Sequence, residues 1–229
     1  MRDYVFPPLI LPLFVILILL PILLIFFVFT TSAVFQLVFG VDKWTALLIF
    51  LFIAIGSFFN VPIYEKEGYY VHYSYSVFGV LYRVRRRGKV VVAVNLGGCV
   101  FPTVLALKAL SDVGVNLEVL MAIATATVLN YFIAKPVRGV GIVTPMIAPP
   151  LIATLAAFTA IFLSGMPLLL LPKLSFAVGV ISTLLGADIM HLKDLEKIGE
   201  GVVSIGGAGT FDGIFLTGFF AVLFSLLLI

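Results

Sequence analysis

The chain carries runs of about 20 residues without a single charge, each long enough to cross about 30 Å of hydrocarbon as a helix. Residues 8–29 read PLILPLFVILILLPILLIFFVF. Lipid offers no water to backbone N–H and C=O groups, so such a run satisfies them internally as an α-helix. Composition agrees: 62% of the 229 residues are hydrophobic and 11% charged. A soluble domain is about half apolar and about a quarter charged. In water this chain would have too few charges to cover its outside.

Seven segments meet the length requirement: 8–29, 44–62, 90–110, 117–134, 145–163, 174–190 and 212–229. The first exceeds a signal-peptide core of about 15 residues. Thr31 and Ala33 resemble a cleavage site only weakly, so a retained first helix is expected. Residues 30–43 are too short and mixed to span and are expected at the interface, with Trp44 as an anchor. The fold class expected is all-α integral membrane, about seven transmembrane helices with a small cytoplasmic β-hairpin-like loop at about 65–89. One multispan domain covers 1–229, with no clear repeat.

Basic residues orient the spans. One set of connections holds Arg2, Lys66, Arg83, Arg85, Arg86, Arg87, Lys89, Lys135, Arg138, Lys193 and Lys197. The other holds only Lys43, Lys108 and Lys173, and the two sets account for all 14 Lys and Arg. The expectation is a multi-pass protein of the cell membrane, N-terminus cytoplasmic and C-terminus outside. The net charge of +3 suits anionic lipid headgroups and is too small and dispersed for nucleic acid. A homo-oligomer is left open. The single cysteine, Cys99, excludes an intrachain disulfide and sits in an apolar run as a small hydrophobe.

The 65–89 connection departs from helical patterning. Tyr69, Val71, Tyr73, Tyr75 and Val77 alternate with more polar neighbours, which is strand periodicity. A turn is expected at Arg85–Gly88, with 89–94 returning as a strand. The basic tip fits cytoplasmic headgroups, or simply a solvated loop. His72, within it, is read as structural.

Polar and helix-breaking residues are expensive in lipid, so their positions inform. Asn95, Gly97, Gly98 and Pro102 open the third span, where glycines permit close helix approach and Asn95 hydrogen bonds across helices. Lys135-Pro136-Val137-Arg138-Gly139-Val140-Gly141, then Thr144, Pro145, Pro149 and Pro150, imply an irregular start to the fifth. Lys135 and Arg138 are either positive-inside anchors or ligands for an anionic group. Third, Gly186-Ala187-Asp188 ends the sixth span, and Ser204 to Gly213 opens the seventh. Asp188 stands at the helix pole that disfavours a carboxylate, whereas Asp212 stands where it is favoured, either simply as an N-cap or as the second acid of a site. Gly207, Gly209 and Thr210 belong to a run able to present backbone N–H groups to an anion. Two adjacent acids share a proton, one pKa raised and one lowered, an arrangement that activates water. Asp188, His191 and Asp212 lack diagnostic metal spacing, and no cofactor is implied. Lys193, Asp194, Glu196 and Lys197 read as a solvated interfacial helix.

Ser204–Gly218, SIGGAGTFDGIFLTG, resembles the signature of an uncharacterised prokaryotic membrane family, the domain of unknown function 1614. Asn95-Leu96-Gly97-Gly98 with Pro102, the Lys135–Gly141 block and Gly186-Ala187-Asp188 resemble its other blocks. The resemblance implies a multispan membrane protein and brings no activity. A second resemblance is to two-aspartate intramembrane proteases, which carry Gly-x-Gly-Asp. Gly209 matches its first glycine, Phe211 replaces the second before Asp212, and Pro149-Pro150-Leu151 is loosely similar to the presenilin-like Pro-Ala-Leu element. The functional expectation is a polar two-aspartate, glycine-rich site at the cytoplasmic ends of the last two helices, serving cation- or proton-coupled transport. The alternative is an intramembrane aspartyl hydrolase with Asp188 and Asp212 as its catalytic acids.

Overall fold

The computed structural model describes residues 10–77, 80–137, 141–195, 201–207 and 213–229, with side chains from residue 14 onward except 66 and 68–87. The described chain is mostly helical. Its helices are α1 (Ile10–Phe39), α2 (Lys43–Gly56), α3 (Phe101–Val113), α4 (Leu117–Ile133), α5 (Ala148–Ser164), α6 (Leu171–Thr183) and α7 (Gly213–Ser225). Strands β1 (Asn60–Val77) and β2 (Val80–Asn95) lie between α2 and α3, β3 (Lys135–Val137) and β4 (Gly141–Val143) between α4 and α5, and β5 (Gly201–Ile205) before α7. Three helical stretches are long and apolar enough to cross a membrane: Phe14–Phe39, Leu96–Val113 and Leu168–Asp194. The four other apolar helices are 10–17 residues long.

Local chemistry explains the boundaries. Asp42 caps α2: its Oδ1 accepts from the backbone N–H of Trp44 (2.9 Å) and of Thr45 (3.2 Å). Asn116 caps α4 by accepting from Val119 N–H at 2.9 Å. Pro149 and Pro150 occupy the first turn of α5, where a missing N–H leaves no bond unmade.

α6 is the central helix. It packs against α3, α4, α5 and α7, and Leu174, Phe176, Val178 and Val180 on it are fully buried. α6 and α7 meet backbone to backbone, since a Cβ on Gly179 would stand 3.1 Å from Gly218 Cα. α1 differs: residues 14–26 are exposed on every side, and only its second half packs, through Val34, Phe35 and Val38.

The α3–α7 bundle has two distinct ends. At one, Asp112 of α3 accepts from Lys173 of α6 at 3.2 Å and also pairs with Lys108. At the other, β2 pairs antiparallel with β1 and parallel with β5, giving a three-stranded sheet in the order β1-β2-β5. β3 and β4 form a separate two-stranded pair.

Four expectations need correction. The hairpin turn is not at Arg85–Gly88: β2 runs through that stretch, with Arg85 opposite His72 and Tyr82 opposite Tyr75, and the ladder continues to Val77 opposite Val80. Residues 90–95 are not the start of the third span but the buried end of β2, and helical structure begins at the π-turn Leu96–Val100. A continuous apolar run fits a buried strand as well as a helix, and β5 supplies the ladder that decides it. The second helix ends at Gly56, so Pro62 belongs to β1. Finally, 30–39 continues α1 instead of forming a separate interfacial segment.

Candidate functional site

After Thr183 the regular winding of α6 breaks. A π-turn spans Leu184–Asp188, and a 3-10 segment runs over Ile189–Asp194. Single π-turns inside helices are common at functional sites. Asp188, at the end of the π-turn, is half-buried. Three residues on, His191 is buried, and its Nδ1 lies 3.1 Å from the Gly186 carbonyl oxygen. A carbonyl only accepts, so Nδ1 carries a proton in this contact. The Tyr131 ring lies 4.6 Å from the His191 ring, with the Lys193 ammonium 4.8 Å over its face.

Gly186 brings α4 against this break. A Cβ there would stand 2.3 Å from the Thr127 carbonyl oxygen, so a side chain would force the helices apart. Asn130, one turn beyond Thr127, is fully buried, and its Nδ2 donates to Ser182 Oγ at 3.0 Å and Thr183 Oγ1 at 3.5 Å. Its Oδ1 and the Thr127 hydroxyl have no partner among the described residues. Sequence reasoning passed over Asn130. The signal was an amide in an otherwise apolar span with a threonine three residues earlier on the same face.

Asn95 sits in a separate network. Its Nδ2 donates to Ser57 O (2.7 Å) and Asn60 Oδ1 (3.0 Å), and its Oδ1 accepts from Gly98 N–H at 2.7 Å. Ser204 of β5 donates to the same Asn60 oxygen at 2.6 Å. Gly207 follows β5 with a φ of 88° and donates its N–H to Ser204 O at 3.1 Å. Gly206, at φ 86°, packs where a Cβ would meet Cys99 Cβ at 2.5 Å, so backbone conformation and space both require glycine.

Lys135 is exposed at the start of β3. Beyond β4, a cleft of about 280 Å³ opens between Thr144 and Pro145 on one side and Gly213 and Thr217 of α7 on the other. Asp212, Gly209, Thr210 and Arg138 lie outside the described residues, so the expected Asp188–Asp212 pair does too; Asp188 and His191 follow one another on the π-turn and the 3-10 segment. Among the described residues, no three His, Cys, Asp or Glu side chains gather as a metal site.

No curated protein and no solved structure matches the chain. A family profile does match, over residues 54–224, and its description is a protein of unknown function (DUF1614). That span includes the Asn95–Pro102, Lys135–Gly141, Gly186–Asp188 and Ser204–Gly218 blocks together with the π-turn, Asn130 and the sheet. The chain therefore belongs to the DUF1614 family.

Proposed function

We propose that this is a multi-pass protein of the cell membrane, with its N-terminus and the sheet-bearing end of the bundle in the cytoplasm and its C-terminus outside. In this reading, a polar site at the ends of α6 and α7 carries a small cation or a proton across the bilayer. The observation that carries the reading is the interruption of α6. This most buried of the long apolar helices changes from α to π winding at Leu184–Asp188 and sets a half-buried carboxylate there. Irregular winding within a helix is frequent at functional sites, and membrane transporters place their ion sites at irregular helix segments.

The membrane reading is supported by α1, where 14–26 present apolar side chains to the surroundings on every side. Such a surface needs an apolar solvent. The orientation is supported by the bundle's two ends, since Lys108 and Lys173 meet at Asp112 while Lys89 and Lys135 belong to strands. Anionic headgroups are the proposed partners of Arg83, Arg85, Arg86 and Arg87 on β2, which counterions would screen.

Two experiments test the proposal. Reporter fusions after Lys89 and after Ile229 should report opposite sides of the membrane, and the same side would refute the orientation. Cation flux into proteoliposomes should be abolished by Asp188→Asn or Asp212→Asn with the fold retained, and the double variant should be no worse, because groups acting as a unit are non-additive. Full flux in both single variants removes the site. Cleavage of a transmembrane peptide in the absence of any flux selects an aspartyl hydrolase instead.

A further inference from the structure

Inside the bundle, four polar side chains face one another across α4 and α6: Thr127 and Asn130 from one helix, Ser182 and Thr183 from the other. All four are at least nine-tenths buried. Ser182 Oγ directs its own proton toward Gly179 O at 3.5 Å, which leaves its oxygen to accept from Asn130 Nδ2. That contact orients the amide. Both of its protons point at hydroxyl oxygens, and Oδ1 is left as a bare acceptor. The Thr127 hydroxyl, three residues earlier on the same face, is equally without a partner among the described residues.

A buried carbonyl oxygen with nothing to accept is costly, more so where no water reaches it. The orphaned groups also lie where α4 and the π-turn touch backbone to backbone, at Gly186 and Thr127. The π-turn starts one residue after Thr183, and its Leu184 and Leu185 carbonyls accept from Ile189 N–H. The unspent oxygens are therefore neutral side-chain groups, an amide carbonyl and a hydroxyl. Divalent ions recruit carboxylates, whereas a singly charged alkali cation is satisfied by neutral oxygens that replace its hydration shell.

We propose that Asn130 Oδ1 and Thr127 Oγ1, with the Ser182–Thr183 hydroxyls and the π-turn, form a binding site for a dehydrated alkali cation, sodium or potassium, deeper in the bundle than Asp188. The inference deepens the proposed cation-transport role and gives it a binding step.

The test uses the full chain in detergent or nanodiscs. Thermal unfolding is followed in NaCl, KCl and N-methylglucamine chloride at equal ionic strength. A site that binds only the folded state raises Tm in a saturable, cation-specific way by a few degrees. Thr127→Val, close to isosteric, should raise the half-saturating concentration by at least about tenfold. Asn130→Asp, which adds a charge at the same place, should lower it by about tenfold. Thr159→Val, at an exposed hydroxyl of α5 bonded to its own helix, should leave it unchanged. The proposal is overturned if Tm is the same in all three salts, or if the sodium or potassium effect survives unaltered in both Thr127→Val and Asn130→Asp. Failure of the transport reading looks different: the cation-specific Tm shift persists and responds to these substitutions, but no variant or wild-type protein moves cations.

Discussion

Asn95 and Asn130 are both buried completely, and the structure holds them in opposite ways. Asn95 spends both amide protons and its carbonyl oxygen on the end of α2, on β1 and on the turn into α3. Asn130 spends its protons on two hydroxyls and keeps its oxygen bare. Each node also has a glycine that lets backbones touch, Gly97 against Ile53 O and Gly186 against Thr127 O. Saturation marks Asn95 as a lock between elements. An unspent acceptor marks Asn130 as a place where something else binds.

The largest expected effect tests the lock. Asn95→Leu strands the Gly98 N–H and the Ser57 carbonyl in a buried place, and a buried unsatisfied group costs about 1–3 kcal/mol each. Unfolding in mixed micelles should show a loss of about 3 kcal/mol or failure to fold. A loss no greater than that of Asn130→Leu would dissolve the contrast.

Next come the glycines. Gly97→Ala and Gly186→Ala each force a methyl into a backbone oxygen, and overpacking of this kind costs about 1–3 kcal/mol. Gly114→Ala, where nothing lies within 4 Å, meets only the strain of its φ of 89° and separates conformational from steric cost.

Asn130→Leu removes an orphaned oxygen together with the donor to Ser182 and Thr183, and because interhelical hydrogen bonds in membranes average about 0.6 kcal/mol it should cost about 1 kcal/mol. The same variant should lose the cation response of Tm. Stability lost without loss of that response would make Asn130 a second lock.

The smallest effect concerns pH. Neither amide titrates, so neither contributes a pH dependence of its own. Asp42 does: the Thr45 hydroxyl first, then the Thr45 and Trp44 backbone N–H groups, hold its carboxyl below the usual value. A depressed folded pKa means the capping contribution is complete above the unfolded pKa and is lost as pH falls through the folded one. Unfolding midpoints of wild type and Asp42→Asn should converge as pH drops below the normal aspartate range, and a gap that stays constant to acid pH would contradict the cap.

How much of this was legible depended on the range of the interactions involved. α4 lies where its apolar run lies, at Leu117–Ile133, since a capped, uninterrupted run has few alternatives. The alternation around Tyr69–Val77 was legible as strand, but its turn was misplaced: Arg85-Arg86-Arg87-Gly88 has turn-like composition, yet its backbone is claimed by the ladder with β1. The parallel strand β5 left no readable signal in GVVSI, because its partner β2 is more than 100 residues earlier. Asp188 was read from polarity as a helix end, whereas the winding continues past it through a π-turn and a 3-10 segment to Asp194, with Gly186 packed on α4.

By itself, the sequence determined the solvent-like surroundings its helices require and the places where charge is concentrated, because both follow from run length and composition that no partner can change. Which buried polar groups are satisfied was decided only by the tertiary structure. Asn95 meets Ser57 across 38 positions and Asn130 meets Ser182 across 52. A hydrogen bond exists or fails over a few tenths of an ångström, and that distance is set by how whole helices dock rather than by the residue's neighbours in the chain.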